Sequence, residues 1–451
     1  MPNTVLRRGL VVLAVAAVGV LATDAGSSAS VDSHQLPTTT RFYTPPANAG
    51  ALKQIKDLTK AGDARGAAQI STMINTPQAA WFTSGTPDKV AQSVDQTVNK
   101  AADQHTVPVL VAYNIPFRDC AQYSAGGALS TADYLAWIDG FARGIGKHQA
   151  VVLLEPDSLG IIPFNTDING NAEWCQPKDA AGNPQPGANP TQRYAALSGA
   201  VDRLEQQPNV SVYLDGTHSA WLGVGDIASR LVKAGVQRAQ GFFINVSNYQ
   251  TTPRQQKYGT WISSCIAFAN NPADGGWRLG HYDFCGSQYF PANPNDFSTW
   301  GLTDQWYADN LGTAVPTTHF VVDTSRNGQG PNDMSRYATA PYSQPPNVIS
   351  GLAGGNWCNP PGAGLGLRPT ADTGVPLLDA YLWVKIPGES DGSCDIAGGA
   401  RAWDYTAYNP WNLTGDAQQH FDPLWGMVDP AAGGWFPQQA LQLAQQANPA
   451  L

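Results

Sequence analysis

Residues 131–155 read TADYLAWIDGFARGIGKHQAVVLLE. Within them Tyr134, Ile138, Phe141 and Ile145 recur at helical spacing, which lines one apolar face and predicts a helix over 131–147. The run VVLLE at 151–155 is short, apolar and β-branched, the signature of a buried strand. The same alternation extends in both directions. Apolar runs stand at 108–115 (PVLVAYNI), 210–214 (VSVYL), 242–246 (FFINV), 319–323 (HFVVD) and 382–386 (LWVKI). Helical patterns at 88–102, 191–206 and 226–239 lie between several of them. Buried parallel strands alternating with covering helices imply an α/β fold. More than six such units in one domain favour a distorted (β/α) barrel.

Composition narrows the function. The 451-residue chain carries a net charge of −9 and is 42% hydrophobic. That permits a sizeable core and excludes wholesale disorder. An acidic chain is a poor partner for nucleic acid, whose phosphates need clustered cations. A polybasic membrane anchor is excluded on the same ground. Gly (46) and Pro (34) are abundant, which implies long ordered loops. Fourteen tryptophans exceed what a core needs, and aromatic faces are what carbohydrate rings stack on.

The N-terminus reads as a targeting segment. Arg7 and Arg8 precede the apolar run 10–21 (LVVLAVAAVGVL), and small residues follow. This is a secretory signal over residues 1–30, too short to span a bilayer. Residues 31–45 read as a short Thr/Pro-rich linker, and 46–451 as one catalytic barrel domain. The expected mature protein is extracellular, monomeric and free of the membrane. Six cysteines, Cys120, Cys175, Cys265, Cys285, Cys358 and Cys394, suit three disulfides in that compartment, with several connectivities open. The histidines are scattered and no metal motif appears, so neither a metal nor a cofactor is expected.

Polar residues gather at the strand ends. Asp157 follows VVLLE, Asp215 follows VSVYL, Asn245 and Asn248 close FFINV, and Asp323 ends HFVVD. Asp119 and Asp391 lie just beyond the first and last runs. In a (β/α) barrel the C-terminal strand ends share one face, where the chemistry sits. Each aspartate alone reads as a cap or turn former. Together on one rim they form a carboxylate-lined cleft, which suits glycoside hydrolysis.

Four ordered segments then carry a resemblance: YNIPFRDC at 113–120, LEPDSL at 154–159, YLDGTHSAW at 213–221 and WVKIPGESDG at 383–392. The chain resembles glycoside hydrolase family 6, the inverting cellulases. The resemblance implies a distorted barrel of fewer than eight strands, with long loops over the C-terminal strand ends. Its substrate would be β-1,4-glucan. It assigns the general acid to Asp157, an assisting carboxylate to Asp119 and the candidate base to Asp391. Sugar-binding positions fall on Trp81, Thr83, Tyr113, His218, Trp221, Asn248, Trp357, Lys385 and Glu389, with Asp215 structural or hydroxyl-binding. Ser124 stands where the family holds water, although family members often carry two serines there and this chain has Ala125 next. The resemblance also implies bridges Cys120–Cys175 and Cys358–Cys394, leaving Cys265 for Cys285. All three bridges are expected on the active-site rim.

The charges can be reasoned ahead of the structure. An acid must keep its proton near neutral pH, so Asp157 needs burial and a nearby ionised Asp119, itself kept ionised by Arg118. Asp391 needs cations, Lys385 and Arg326, to stay ionised. Competing readings are weaker. Residues 388–392 (GESDG) match a nucleophile elbow at Ser390, with His420 downstream, but no helical pattern follows. Residues 165–170 (NTDING) echo a calcium loop that lacks its final Glu. A non-catalytic carbohydrate-binding protein would keep the tryptophans without needing all three aspartates. Endo or exo action depends on the paths of 161–192 and 327–370.

Overall fold

The computed structural model describes residues 36–395 and 401–451. The signal segment 1–30 lies outside the described residues. Seven parallel strands run in chain order around a curled sheet: β1 Ala80–Phe82, β2 Val109–Ala112, β3 Ala150–Leu154, β4 Val210–Asp215, β5 Gly241–Ile244, β6 His319–Asp323 and β7 Leu378–Leu382. β1 and β7 form no ladder, and the barrel stays open between them. Two contacts stitch that seam: Ala79 N–H donates to the Trp383 carbonyl at 2.9 Å, and the Trp81 indole to the Val384 carbonyl at 2.8 Å.

Both faces of the strands are buried, which is why they read as unbroken apolar runs. In β3, Val151 and Leu153 point into the barrel with Val111, Tyr213, Phe243 and Val321. Ala150, Val152 and Leu154 point outward onto the helices. The helices are α1 Ala49–Lys60, α2 Ala64–Ile74, α3 Pro87–Asp103, α4 Thr131–Ile145, α5 Pro190–Leu204, α6 Val224–Ala234, α7 Thr252–Ala269, α8 Gly301–Asn310, α9 Pro346–Gly354, α10 Asp416–His420 and α11 Pro437–Gln445. α4 starts where the Ser130 side chain accepts from Asp133 N–H, and ends at Gly146 with φ 56°. Gly140 and Gly144 let α3 approach α4, since a Cβ there would sit 2.2 Å from the Pro87 carbonyl and 2.5 Å from that of Ala91. α1, α2 and α11 share an apolar cluster with Leu365 and Trp383.

Four expectations need correction. The last strand is Leu378–Leu382, not 382–386. Asp379 broke the apolar pattern, yet it is buried because Tyr213 OH, Gln240 Nε2 and His319 Nδ1 lie 2.6, 3.1 and 2.7 Å from its carboxylate. Residues 383–386 instead run past the sheet, Trp383 and Val384 staying buried in apolar clusters and Lys385 and Ile386 reaching the cleft. The stretch 36–45 is not a free linker: Leu36, Phe42 and Tyr43 are buried, and Tyr43 N–H bonds the Val107 carbonyl beside β2. The helical pattern 226–239 is split by Gly235, with φ 95°, into α6 and a short 3₁₀ turn. Finally, the bridges are Cys120–Cys175, Cys265–Cys285 and Cys358–Cys394, but Cys265 lies on α7 within the helix–sheet core rather than on the rim.

Candidate active site

The segments leaving β2, β3 and β4 hold one another through buried polar groups. The Glu155 carboxylate accepts from Asn114 N–H at 2.9 Å and Ile115 N–H at 3.0 Å. Arg193 of α5 donates to the carbonyls of Pro116, Ser158 and Ile161 at 3.0–3.1 Å. Asp215 accepts from Leu159 N–H at 3.2 Å and Thr217 N–H at 2.9 Å. Glu155 and Asp157 both adopt left-handed backbone, φ 57° and 67°, a strain of about 1–3 kcal/mol each that this lattice of bonds holds in place.

A cavity of about 770 Å³ opens above these ends. Asp119, Asp157 and Asp391 line it together with Trp81, Thr83, Tyr113, Ser124, His218, Trp221, Asn248, Trp357, Lys385 and Glu389. Asp215 does not line it, but sits buried beneath the segment that carries Asp157. Trp81 meets Tyr113 edge-on at 5.4 Å, and His218 lies 5.6 Å from Trp221. The segments 161–192 and 327–370 both reach the cavity, through Ile161 and Trp174 in the first and Ala353, Gly354, Asn356 and Trp357 in the second.

The carboxylates stand in opposite environments. Burial, then the charges of Asp215, Asp119 and Asp391, push Asp157 well above the usual carboxylate range. Burial opposes ionisation of Asp391 too, but Arg326 at 2.8 Å, Lys385 at 3.4 Å and the Asn359 N–H at 3.0 Å outweigh it and hold that carboxyl below the usual range. Burial raises Asp119 to about 6, against the Ser124 N–H that bonds it at 2.8 Å. The Arg118 charge lowers it too, as expected, but less than burial raises it. The Arg118 guanidinium also lies 4.7 Å over the Tyr113 ring and donates to the carbonyls of Thr83, Tyr113, Ser124 and Ala125, so it braces the loop as well. Burial lowers His218 to about 3, which leaves a neutral imidazole.

The competing motifs fare differently. Ser390 is fully buried with its hydroxyl 2.7 Å from the Pro430 carbonyl, while His420 bonds Asp395 at 2.9 Å, so no Ser–His pair forms. Asp167 accepts from the amides of Asn169 and Asn171 in its own turn. Among the described residues, the ligand atoms of Cys394, Asp422 and Asp429 lie within 4.8 Å of one another. Cys394, however, is spent in a disulfide, and burial with the Asp422 charge raises Asp429 to about 9, which keeps the Asp429 carboxyl protonated and a poor ligand. Sequence reasoning missed Glu155, Arg193, Asn359 and Trp174. The last two adjoin Cys358 and Cys175, a signal that went unread.

The family model for "Glycosyl hydrolases family 6" matches residues 37–447. The chain belongs to glycosyl hydrolase family 6. This family 6 enzyme is 33% identical over 337 residues to Endoglucanase 1 of Streptomyces sp. (strain KSM-9), covering 74% of this chain and 69% of that one. The structure of the endoglucanase Cel6 from Mycobacterium tuberculosis, in complex with methyl-cellobiosyl-4-deoxy-4-thio-β-cellobioside, matches with a TM-score of 0.58 and 30% identity over 91% of this chain and 98% of that one. Cellobiohydrolase II (Cel6A) from Humicola insolens shares the fold, with a TM-score of 0.57 at 22% identity over 91% and 98% of the two chains. The family 6 chain is therefore a glycoside hydrolase, and its open seven-stranded barrel is the family's architecture. Among its described residues no helix is long and apolar enough to cross a membrane.

Proposed function

We propose that this family 6 hydrolase cleaves β-1,4-glucosidic bonds of cellulose or β-glucan with inversion at the anomeric carbon. One observation carries the reading: a single cavity holds one carboxyl that environment keeps protonated, Asp157, and one kept ionised by two cations, Asp391. Asp157 gives its proton to the glycosidic oxygen. Asp391, directly or through a chain of waters, takes a proton from the attacking water on the opposite face of the sugar. Asp119 adds negative charge beside Asp157, and Ser124 helps order the water. Tyr113 underlies the ring at the scissile bond. Trp81, Trp221 and Trp357 stack on neighbouring rings, while Thr83, His218, Asn248, Lys385 and Glu389 bind hydroxyls.

The enzyme acts after export, as a monomer, without cofactor. The substrate class is supported by the endoglucanases it is similar to. Viscosity loss of carboxymethyl-cellulose against cellobiose release separates endo from exo action. The acid assignment is tested with Asp157→Asn. Hydrolysis of unactivated glucan should fall roughly 10²–10⁴-fold, the usual worth of general acid catalysis. A substrate whose leaving group needs no proton should lose far less. Equal loss on both would give Asp157 another role.

A further inference from the structure

Trp174 is about half exposed, 54%, and its side chain lines the cavity that holds the three aspartates. Both of its chain neighbours are anchored. Cys175 is fully buried and bridged to Cys120. The Glu173 carboxylate pairs at 2.7 Å with Arg230, a side chain of α6 that is itself buried. Two main-chain bonds close the base of this arm, Glu173 N–H to the Asn165 carbonyl and Phe164 N–H to that of Cys175, each at 2.9 Å. An indole left in water contributes little to folding, so this rigid mounting has no stability rationale at Trp174 itself.

The mounting does relate Trp174 to the chemistry. Arg230 also donates to the Leu159 carbonyl at 2.9 Å, two residues past Asp157. One guanidinium thus holds both the acid's segment and the arm that carries the indole, and sets the offset between them. A flat apolar face carried on main chain that is anchored on both sides, at a set distance from an acid, is a preorganised platform for a ring.

We propose that Trp174 forms an additional glucosyl-binding position at the rim of the cleft, engaged only by chains long enough to reach it. The inference rests on the glucan reading above. It identifies a feature of the 161–192 insertion that the four motifs do not contain.

The test compares the unmodified protein, Trp174→Ala and Trp174→Phe on cellotriose and cellohexaose. Trp174→Ala should raise KM for cellohexaose roughly 3- to 10-fold, the size of one aromatic stacking contact, with kcat unchanged. Cellotriose kinetics should not move, and Trp174→Phe should retain most of the affinity. Equal changes at both lengths, or none for cellohexaose, overturn the proposal. Calorimetric binding of cellohexaose to the same three proteins, each carrying Asp157→Asn, reads the platform without hydrolysis. Weaker binding by Trp174→Ala supports it and equal binding overturns it, whereas binding without any cleavage by the unmodified protein would strike only the hydrolytic reading.

Discussion

Asn359 and Asp391 hold each other by two reciprocal hydrogen bonds: the Asn359 N–H donates to Asp391 Oδ2 at 3.0 Å, and the Asp391 N–H donates to Asn359 Oδ1 at 2.8 Å. The Asn359 amide nitrogen also reaches Ser390 Oγ, the Gly392 carbonyl and Asp429 Oδ2 at 2.9–3.0 Å. Asn359 is fully buried beside Cys358, whose disulfide to Cys394 closes the same loop. It is a positioning residue for the candidate base.

Asn359→Ala should therefore lower kcat by about 10²-fold, the typical cost of misplacing a reacting group by an ångström, with little change in KM. Asn359→Asp keeps an acceptor for the Asp391 amide but places a new negative charge beside that carboxylate. It should move the acidic limb of the kcat/KM profile upward. A pure KM effect would show that the loop serves binding alone.

The pH profile has a worked sign. In the proposed mechanism Asp157 acts protonated, so activity should fall as pH rises through its raised pKa. As the proposed base Asp391 acts ionised, so activity should fall as pH drops through its lowered one. Asp215→Asn removes the foremost negative neighbour of Asp157 and should shift the alkaline limb toward acid, with the acidic limb nearly still. An unmoved alkaline limb would separate Asp215 from the titration of Asp157.

Stability should depend on pH in the same region. Burial raises Glu155 to about 7 and Asp119 and Asp215 to about 6 in the folded state. A raised carboxyl stabilises the fold below its unfolded pKa, and that contribution is lost as pH climbs through the folded value. Asp391 and His218 work oppositely, since each costs stability as pH falls toward its lowered value, but the three carboxyls outnumber His218 within the window. The melting temperature should fall by a few degrees between about pH 5 and pH 8. A rise across that window in calorimetry would refute these assignments.

Asp379→Ala tests the fold apart from the chemistry. It strips the buried carboxylate from Tyr213, Gln240 and His319 near the N-terminal ends of β6 and β7, at the opposite end of the strands from the cavity. Roughly 2–4 kcal/mol of stability should be lost, read as a lower urea midpoint, while kcat of the folded protein stays near its original value.

Much of the architecture was legible because two-sided burial leaves a plain mark: β3, β4 and β6 coincide with apolar runs, and α3, α4 and α5 with helical periodicity. β1 left no such mark, having only Ala80, Trp81 and Phe82. β7 was misplaced because Asp379 looks like a strand breaker until its three partners, distant in sequence, are known. The rim aspartates could be found from their places after strands. Arg193, Glu155 and Asn359 could not, since their roles consist of bonds to main chain far along the sequence. Arg118 was half legible: adjacency to Asp119 gave the lowering effect of its charge, but not the four carbonyls that claim its donors.

The stereochemistry of the first product tests the central claim most directly. Proton NMR of the early reaction mixture from a β-1,4-glucan distinguishes the anomers before mutarotation mixes them. A water activated by Asp391 opposite an acid at Asp157 requires single displacement, so the first-formed reducing end should be the α-anomer. An initial burst of the β-anomer would mean a covalent glycosyl-enzyme and would contradict the account.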